Sequence, residues 1–165
     1  MHVPVELLRT HVRYSTWASA RLVEVAGTLS ADELVRDFES ADKSVLGTLA
    51  HVYAADRVWL GRIQGRPPAR FLDPEVDVRL DVLQRDWPAL LARWQTWVDG
   101  LQDAAATIAY QDLKGNPFTT PLWQIVLHVV NHATHHRGQV SAMLRAMGHT
   151  PPPLDLIRFY REIAG

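Results

Sequence analysis

The segment Pro121-Leu-Trp-Gln-Ile-Val-Leu-His-Val-Val-Asn-His-Ala-Thr-His-His-Arg-Gly-Gln-Val-Ser-Ala-Met-Leu-Arg-Ala-Met-Gly148 reads as one long helix. Thr119 or Thr120 is placed to cap its start, and Pro121 suits a first helical position, where an N–H would have no partner anyway. Gly148 is a natural stop, with Pro151 close behind. Four of the chain's eight histidines fall inside it: His128, His132, His135 and His136.

A helix turns about 100° per residue. With His128 at zero, His132 lies near ~40°, His136 near ~80° and His135 near about −20°. The apolar residues Leu122, Ile125, Val126, Val129, Ala133, Val140 and Leu144 occupy roughly 60° to 160°. The histidine stripe therefore borders the buried face and overlaps it at His132 and His136. On this wheel Arg137 points the other way, towards solvent or a partner. Histidines four apart sit one turn apart, so two imidazoles can reach one ion. A lone histidine on such a face is an ordinary boundary residue, but four on one stripe favour metal binding. Spacing alone does not choose between the pairs 128/132 and 132/136.

Outside this helix, composition narrows the field. The 165 residues suit one domain, 1–165, able to bury a core without staples. Cysteine is absent, which excludes disulfides, thiolate ligands and a cysteine nucleophile and fits a reducing compartment. A formal net charge of −1 with no basic block gives nucleic-acid binding no electrostatic support. No apolar run reaches membrane-spanning length, and Met1-His-Val-Pro-Val-Glu shows no signal-peptide pattern. The expectation is a cytoplasmic protein with no membrane and no nucleic-acid partner. Six tryptophans are many for this length and are expected mostly in the core.

Before the long helix, Pro4 to about Ala26 reads as a first helix, its apolar set including Leu7, Leu8, Val12, Trp17, Leu22 and Val25, with His11 as a boundary residue. Ser30 and Glu33 form a capping-box pattern over a short helical turn, and Asp37–Lys43 reads as a polar loop. Ser44 to about Gln64 reads as the next helix, capped by Ser44 and stopped by Gly65. His51 lies within it, with small Ala55 one turn on and Trp59 two turns on, placed to wall the same site. By itself His51 is a core histidine; it matters as a third partner for the later pair. A proline-rich connection leads to a helix from about Arg79 to Ala105, in which Pro88 either kinks the helix or marks a start capped by Asp86. Tyr110-Gln-Asp-Leu-Lys-Gly-Asn-Pro reads as a short hairpin. After Pro151–Pro153, Leu154 to Ile163 makes a last short helix, with Leu156, Ile157 and Tyr160 packing back. The expected fold is all-α, a four-helix bundle with a short C-terminal helix.

If His51 meets the later pair, three neutral imidazoles hold a divalent ion and leave a position open, as catalytic sites do. Such an ion lowers the pKa of bound water towards ~7 or takes a thiolate or a substrate oxygen. Imidazole ligands favour zinc, and nickel, copper and iron also accept them. Gln139 and Asp56 are candidates for fixing histidine tautomers. A zinc protease fits poorly, since Ala133 follows His132 and Val129 follows His128 where a glutamate would be needed. Gly-x-Ser-x-Gly turns and glycine-rich phosphate loops are absent.

Three blocks carry a resemblance. They are Tyr14-Ser-Thr-Trp-Ala-Ser-Ala-Arg-Leu, Gly47-Thr-Leu-Ala-His-Val-Tyr-Ala-Ala-Asp-Arg-Val-Trp-Leu, and Pro121-Leu-Trp with Asn131-His-Ala-Thr-His-His-Arg-Gly-Gln. Together they resemble the DinB/YfiT-like family over nearly the whole chain. The most specific piece is His132-x-x-x-His136-Arg-Gly-Gln coupled to a histidine 81 residues earlier. The family pattern has asparagines where Ser15 and Ser19 stand. The resemblance implies a DinB-like four-helix bundle, a homodimer, and a divalent metal, zinc or nickel, held by His51, His132 and His136. His128 and His135 become neighbours. It also implies a small-molecule substrate and, in some relatives, a low-molecular-weight thiol used by transferases or isomerases; others are hydrolases. No general acid or base follows from it. The alternatives are a non-catalytic metal-binding stress or sensor protein, and a helical interaction module with structural histidines.

Overall fold

The computed structural model describes residues 3–164. Met1 and His2, part of the segment read for a targeting signal, lie outside the described residues, as does Gly165. Six helices and one hairpin follow in order among the described residues: α1 Val5–Ala26, α2 Ala31–Val35, α3 Val45–Ile63, α4 Leu80–Asp99, β1 Thr107–Gln111, β2 Pro117–Pro121, α5 Leu122–Ala146 and α6 Leu156–Ala164. The fold is mostly helical. Among the described residues no helix is long and apolar enough to cross a membrane.

Local chemistry sets several helix ends. Ser30 and Glu33 form a reciprocal capping box at α2. The Ser44 hydroxyl accepts from Gly47 N–H at the start of α3. Gly148 ends α5 at φ +87°, where its N–H reaches Arg145 O and the next N–H, of His149, reaches Leu144 O. That is a Schellman stop, which glycine adopts without strain.

Three boundaries differ from expectation. Thr119 and Thr120 belong to β2 and do not cap α5; Pro121 is the N-cap and has no side-chain bond. Carbonyls of the preceding chain take over instead, Leu122 N–H donating to Ala106 O and Trp123 N–H to Ala104 O. The helix expected to run to Ala105 ends at Asp99, because Gly100 terminates it although buried Leu101 and Ala104 continue the apolar run. Pro88 lies inside α4 and starts nothing. Its cost is met by its neighbours: Trp87 and Trp94 are buried and donate their indole N–H groups to Asp56 Oδ2 and Asp56 O, locking α4 onto α3.

Helix α1 packs on α4 and α5, and α3 packs on the same two from the other side. Leu8, Leu22, Leu49, Leu60, Leu83, Trp87, Ile125 and Leu144 fill the space between and are essentially inaccessible. The antiparallel hairpin pairs Thr107 with Pro121 and Gln111 with Pro117, and rests against α3 and the start of α5. In α6 the anchoring residue is Phe159, packed against Tyr14 and Trp17; Ile157, expected inside, is 56% exposed.

Arg137 is the largest departure. It is 2% exposed, not solvent-facing. Its guanidinium donates to Ser15 O and Oγ, Ser19 Oγ and Thr134 Oγ1, and lies 5.3 Å from the Tyr14 ring. Helix α5 is buried on two sides, by α3 and by α1, so its inward arc is wider than one stripe. Ser15 and Ser19 face α5 and leave room for the guanidinium.

Candidate metal centre

Where α3 and α5 run side by side, each turns histidines into the shared seam. His51 lies in the second turn of α3, and His132 and His136 are one turn apart on α5. The Nε2 atoms of His51 and His132 are 3.0 Å apart. The His136 ring centroid is 4.4 Å from that of His51 and 4.5 Å from that of His132. One nitrogen from each ring lies within 4.8 Å of the others, so the three could hold a metal ion. Nitrogens bound to an ion at about 2.0–2.1 Å stand roughly 2.9–3.4 Å apart at angles between square and tetrahedral. The 3.0 Å separation falls in that range.

Of the two pairs that spacing allows, the one facing His51 is 132/136. His128 lies alongside, its ring 5.9 Å from His132 and edge-on to Trp59 at 5.2 Å. Trp59 therefore walls His128 and not the triad; the aromatic neighbour of His51 is Phe71, at 5.2 Å. His135 is exposed, and His11 bonds Leu7 O of its own helix at 2.8 Å, away from the cluster.

Burial sets the protonation of the cluster. Desolvation is the largest cause lowering the pKa of His51, opposed by the charge of Asp42. Desolvation, then the charges of His136, His51, His128 and His135, push His132 down to about 4. Desolvation and the nearby Arg62 charge lower His128. At neutral pH these rings are neutral, the form that ligates metal.

The outer edges of His51 and His136 are engaged by polar groups. His136 Nδ1 lies 2.8 Å from Gln139 Oε1, to which its N–H donates, and the Gln139 amide is 3.3 Å from His135 Nε2. This is the role expected of Gln139. Asp56 does not share it: that residue is buried under Trp87, and burial pushes its carboxyl up to about 7 against the pull of the Trp87 N–H and the Arg137 charge. The carboxylate at the site is Asp42. Its Oδ1 is 3.3 Å from His51 Nδ1 and its Oδ2 3.4 Å from His136 Nδ1, so one side chain spans two helices. Carboxylates in this position orient imidazoles and raise their basicity.

Asp42 was hidden in a loop read only as polar. The loop is unusually constrained. Glu39 and Lys43 adopt φ of +56° and +63°, a region that costs side-chain-bearing residues energy. Gly47 lets the loop lie directly on α3, since a Cβ there would collide with the Asp42 carbonyl oxygen. Both features belong to the loop that carries Asp42 onto α3.

The chain is similar to known proteins over most of its length. The sequence model of the DinB family matches residues 1–163. The chain is 24% identical over 149 residues to the protein DinB of Bacillus subtilis (strain 168), covering 86% of this chain and 87% of that one. It is also 24% identical over 132 residues to a second protein of that strain, described as the uncharacterized protein YizA, covering 78% and 80%.

Proposed function

The chain belongs to the DinB family, and from that premise we propose that it is a metal-dependent enzyme that activates a thiol or water for transfer or hydrolysis. We take residues 1–165 as one DinB-type four-helix bundle, cytoplasmic and dimeric, with His51, His132 and His136 as the metal ligands. The observation that carries the reading is the paired arrangement at the seam. Three imidazoles converge with one nitrogen each inward, while Asp42 and Gln139 hold the outer edges of His51 and His136. The Nε2 atoms of His51 and His132, hydrogen-bonded at 3.0 Å, already stand at the spacing of two ligands on one ion.

Zinc fits three nitrogen donors best and nickel next. A divalent ion held by these three histidines would supply the Lewis acidity that lowers the pKa of a thiol or water towards neutral pH. The chain's residues do the rest. Asp42 and Gln139 hold His51 and His136 in the tautomers that present Nε2. Phe71 covers His51 and limits water on that side.

Elemental analysis of untagged protein tests the ligand set. One metal per chain in wild type, lost in His136→Ala and retained in His11→Ala, is expected. Metal retained in His136→Ala, or none after adding zinc or nickel to wild type, overturns it. A screen of low-molecular-weight thiols with electrophilic substrates then separates an enzyme from a non-catalytic metal-binding protein.

A further inference from the structure

A cavity of about 620 Å³ opens between the C-terminal half of α3, the connection that follows it and the hairpin. Its size is that of a small-molecule site. Val58 and Arg62 line it from α3, Pro67 and Pro68 from the connection, and Tyr110 and Phe118 from the hairpin. Val58 and Arg62 are seven and eleven residues after His51, two and three turns along the same face of α3, or about 10 and 16 Å along the axis. The connection then doubles back, bringing Phe71 against His51. One wall thus runs from the cavity to the histidine cluster.

Arg62 sets the chemistry of this cavity. Its guanidinium lies 4.6 Å from the Trp59 ring and 5.1 Å from Tyr110, so cation–π contacts hold it in place. Among the described residues it donates no side-chain hydrogen bond and has no carboxylate within 4.0 Å. Burial lowers its pKa, with the charges of Tyr110 and Asp112 opposing. Asp112 also lines the cavity, but its oxygens are taken by the hairpin turn, accepting from Lys114 N, Asn116 N and Asn116 Nδ2. Tyr110 and Phe118 stack at 23° and form a flat apolar wall, Phe118 remaining 48% exposed. A preoriented guanidinium with open donors beside a flat aromatic wall matches a planar organic acid.

We propose that this cavity binds an aromatic or unsaturated carboxylate, its acid group on Arg62 and its flat body against Tyr110 and Phe118. This deepens the enzyme reading by naming a substrate class, and it rests on that reading for the reaction but not for the binding. The test uses 2-naphthoate and its uncharged amide as probes, followed by calorimetry and by chemical shifts of the tryptophan indole N–H groups. Saturable binding of the acid is expected at millimolar concentration or below, at least tenfold weaker for the amide and for Arg62→Gln. Phe118→Ser, at an exposed position that leaves the core intact, should weaken acid and amide alike. Binding of the acid should persist in His136→Ala, which removes a proposed metal ligand. No saturable binding, equal binding by acid and amide, or wild-type affinity in Arg62→Gln each overturns the proposal. Acid binding lost in His136→Ala but kept in Arg62→Gln would place the carboxylate at the histidines and overturn it too. None of these failures touches the metal stoichiometry, which the elemental analysis reads separately.

Discussion

Arg137→Ala removes a side chain on which the seating of α5 depends, and its cost can be worked from the contacts. The guanidinium makes four hydrogen bonds to Ser15 O, Ser15 Oγ, Ser19 Oγ and Thr134 Oγ1. Hydrogen bonds from a charged donor are worth about 1.5–3 kcal/mol each before the cost of burying the charge. The burial cost is several kcal/mol, so the sum does not survive intact. Breaking such an arrangement by removing one member costs about 3–5 kcal/mol. Asp56 adds to this, since its charge and that of Arg137 favour each other and its carboxyl would lose that support. At about 2–4 °C per kcal/mol for a chain of this size, the melting temperature should drop by about 10 °C.

Urea unfolding of metal-free protein is the assay, with two comparisons. Arg145→Ala alters an exposed arginine of the same helix and should stay within about 0.5 kcal/mol of wild type. Arg137→Met keeps an apolar stem in the space and should cost less than Arg137→Ala, because a well-packed apolar side chain avoids both the cavity and the buried charge. The reasoning fails if Arg137→Ala and Arg145→Ala differ by less than about 1 kcal/mol, for then Arg137 does not tie α5 to α1.

Asp42→Asn should lower metal affinity about 10–100-fold in a competition titration, as loss of a carboxylate behind ligating histidines does, and Gly47→Ala, which displaces the Asp42 carbonyl, should shift it the same way; unchanged affinity in both would remove Asp42 from the site. Asp56→Asn should change how stability depends on pH. The folded carboxyl titrates at about 7 against an ordinary 3.8, so the folded state binds the extra proton and wild type loses stability as pH rises from about 4 to about 7. His132, whose folded pKa of about 4 lies below 6.5, contributes the opposite slope over about pH 4 to 6.5 in both proteins and cancels in their difference. Measured by urea unfolding at pH 4, 5.5 and 7, that difference should move in favour of the variant by up to about 4 kcal/mol; parallel profiles would show that Asp56 does not titrate in this window.

The parts of the molecule legible in the sequence are those fixed by chemistry within one or two turns. Ser44, Gly65 and Gly148 mark helix ends because capping and left-handed stops depend on the local residue. His132 and His136 come together because a helix repeats, whatever surrounds it. His51 could join them only through packing of α3 on α5, so its place in its helix offers it as a possible third partner and only the resemblance implies it as a ligand. Asp42 left no pattern, since loop residues reach a site through backbone shape, and neither the positive φ of Glu39 and Lys43 nor the contact at Gly47 is a periodic signal. Arg137 was misread for a different reason. On the α5 wheel it lies near ~180°, between Val126 and Leu144 at about 160° and Val130 at about 200°. Counting Val130 with the apolar arc would have enclosed it. A single wheel does not say how many neighbours a helix has, and α5 has two.

That double burial also bears on what the site can do. His136 and Arg137 are adjacent, about 100° apart on the helix, so fixing Arg137 against α1 fixes the direction in which His136 faces α3. The tether lies on the far side of α5 from the histidines, and it restrains their geometry without touching them. Charge follows from the same geometry. As metal ligands imidazoles bring none, and the carboxylate at their outer edges is that of Asp42. On the proposed reading a divalent ion would keep one positive charge uncompensated by its immediate neighbours. Its open position then favours an anionic donor such as a thiolate over a neutral one. A second carboxylate beside Asp42 would remove that preference, so converting Gln139 to glutamate, which keeps an acceptor for His136, should weaken selection for an anionic partner while strengthening the grip on the metal. Tighter metal binding with undiminished affinity for a thiol such as 2-mercaptoethanol, both read by titration, would show that charge is not what the site uses to choose its partner.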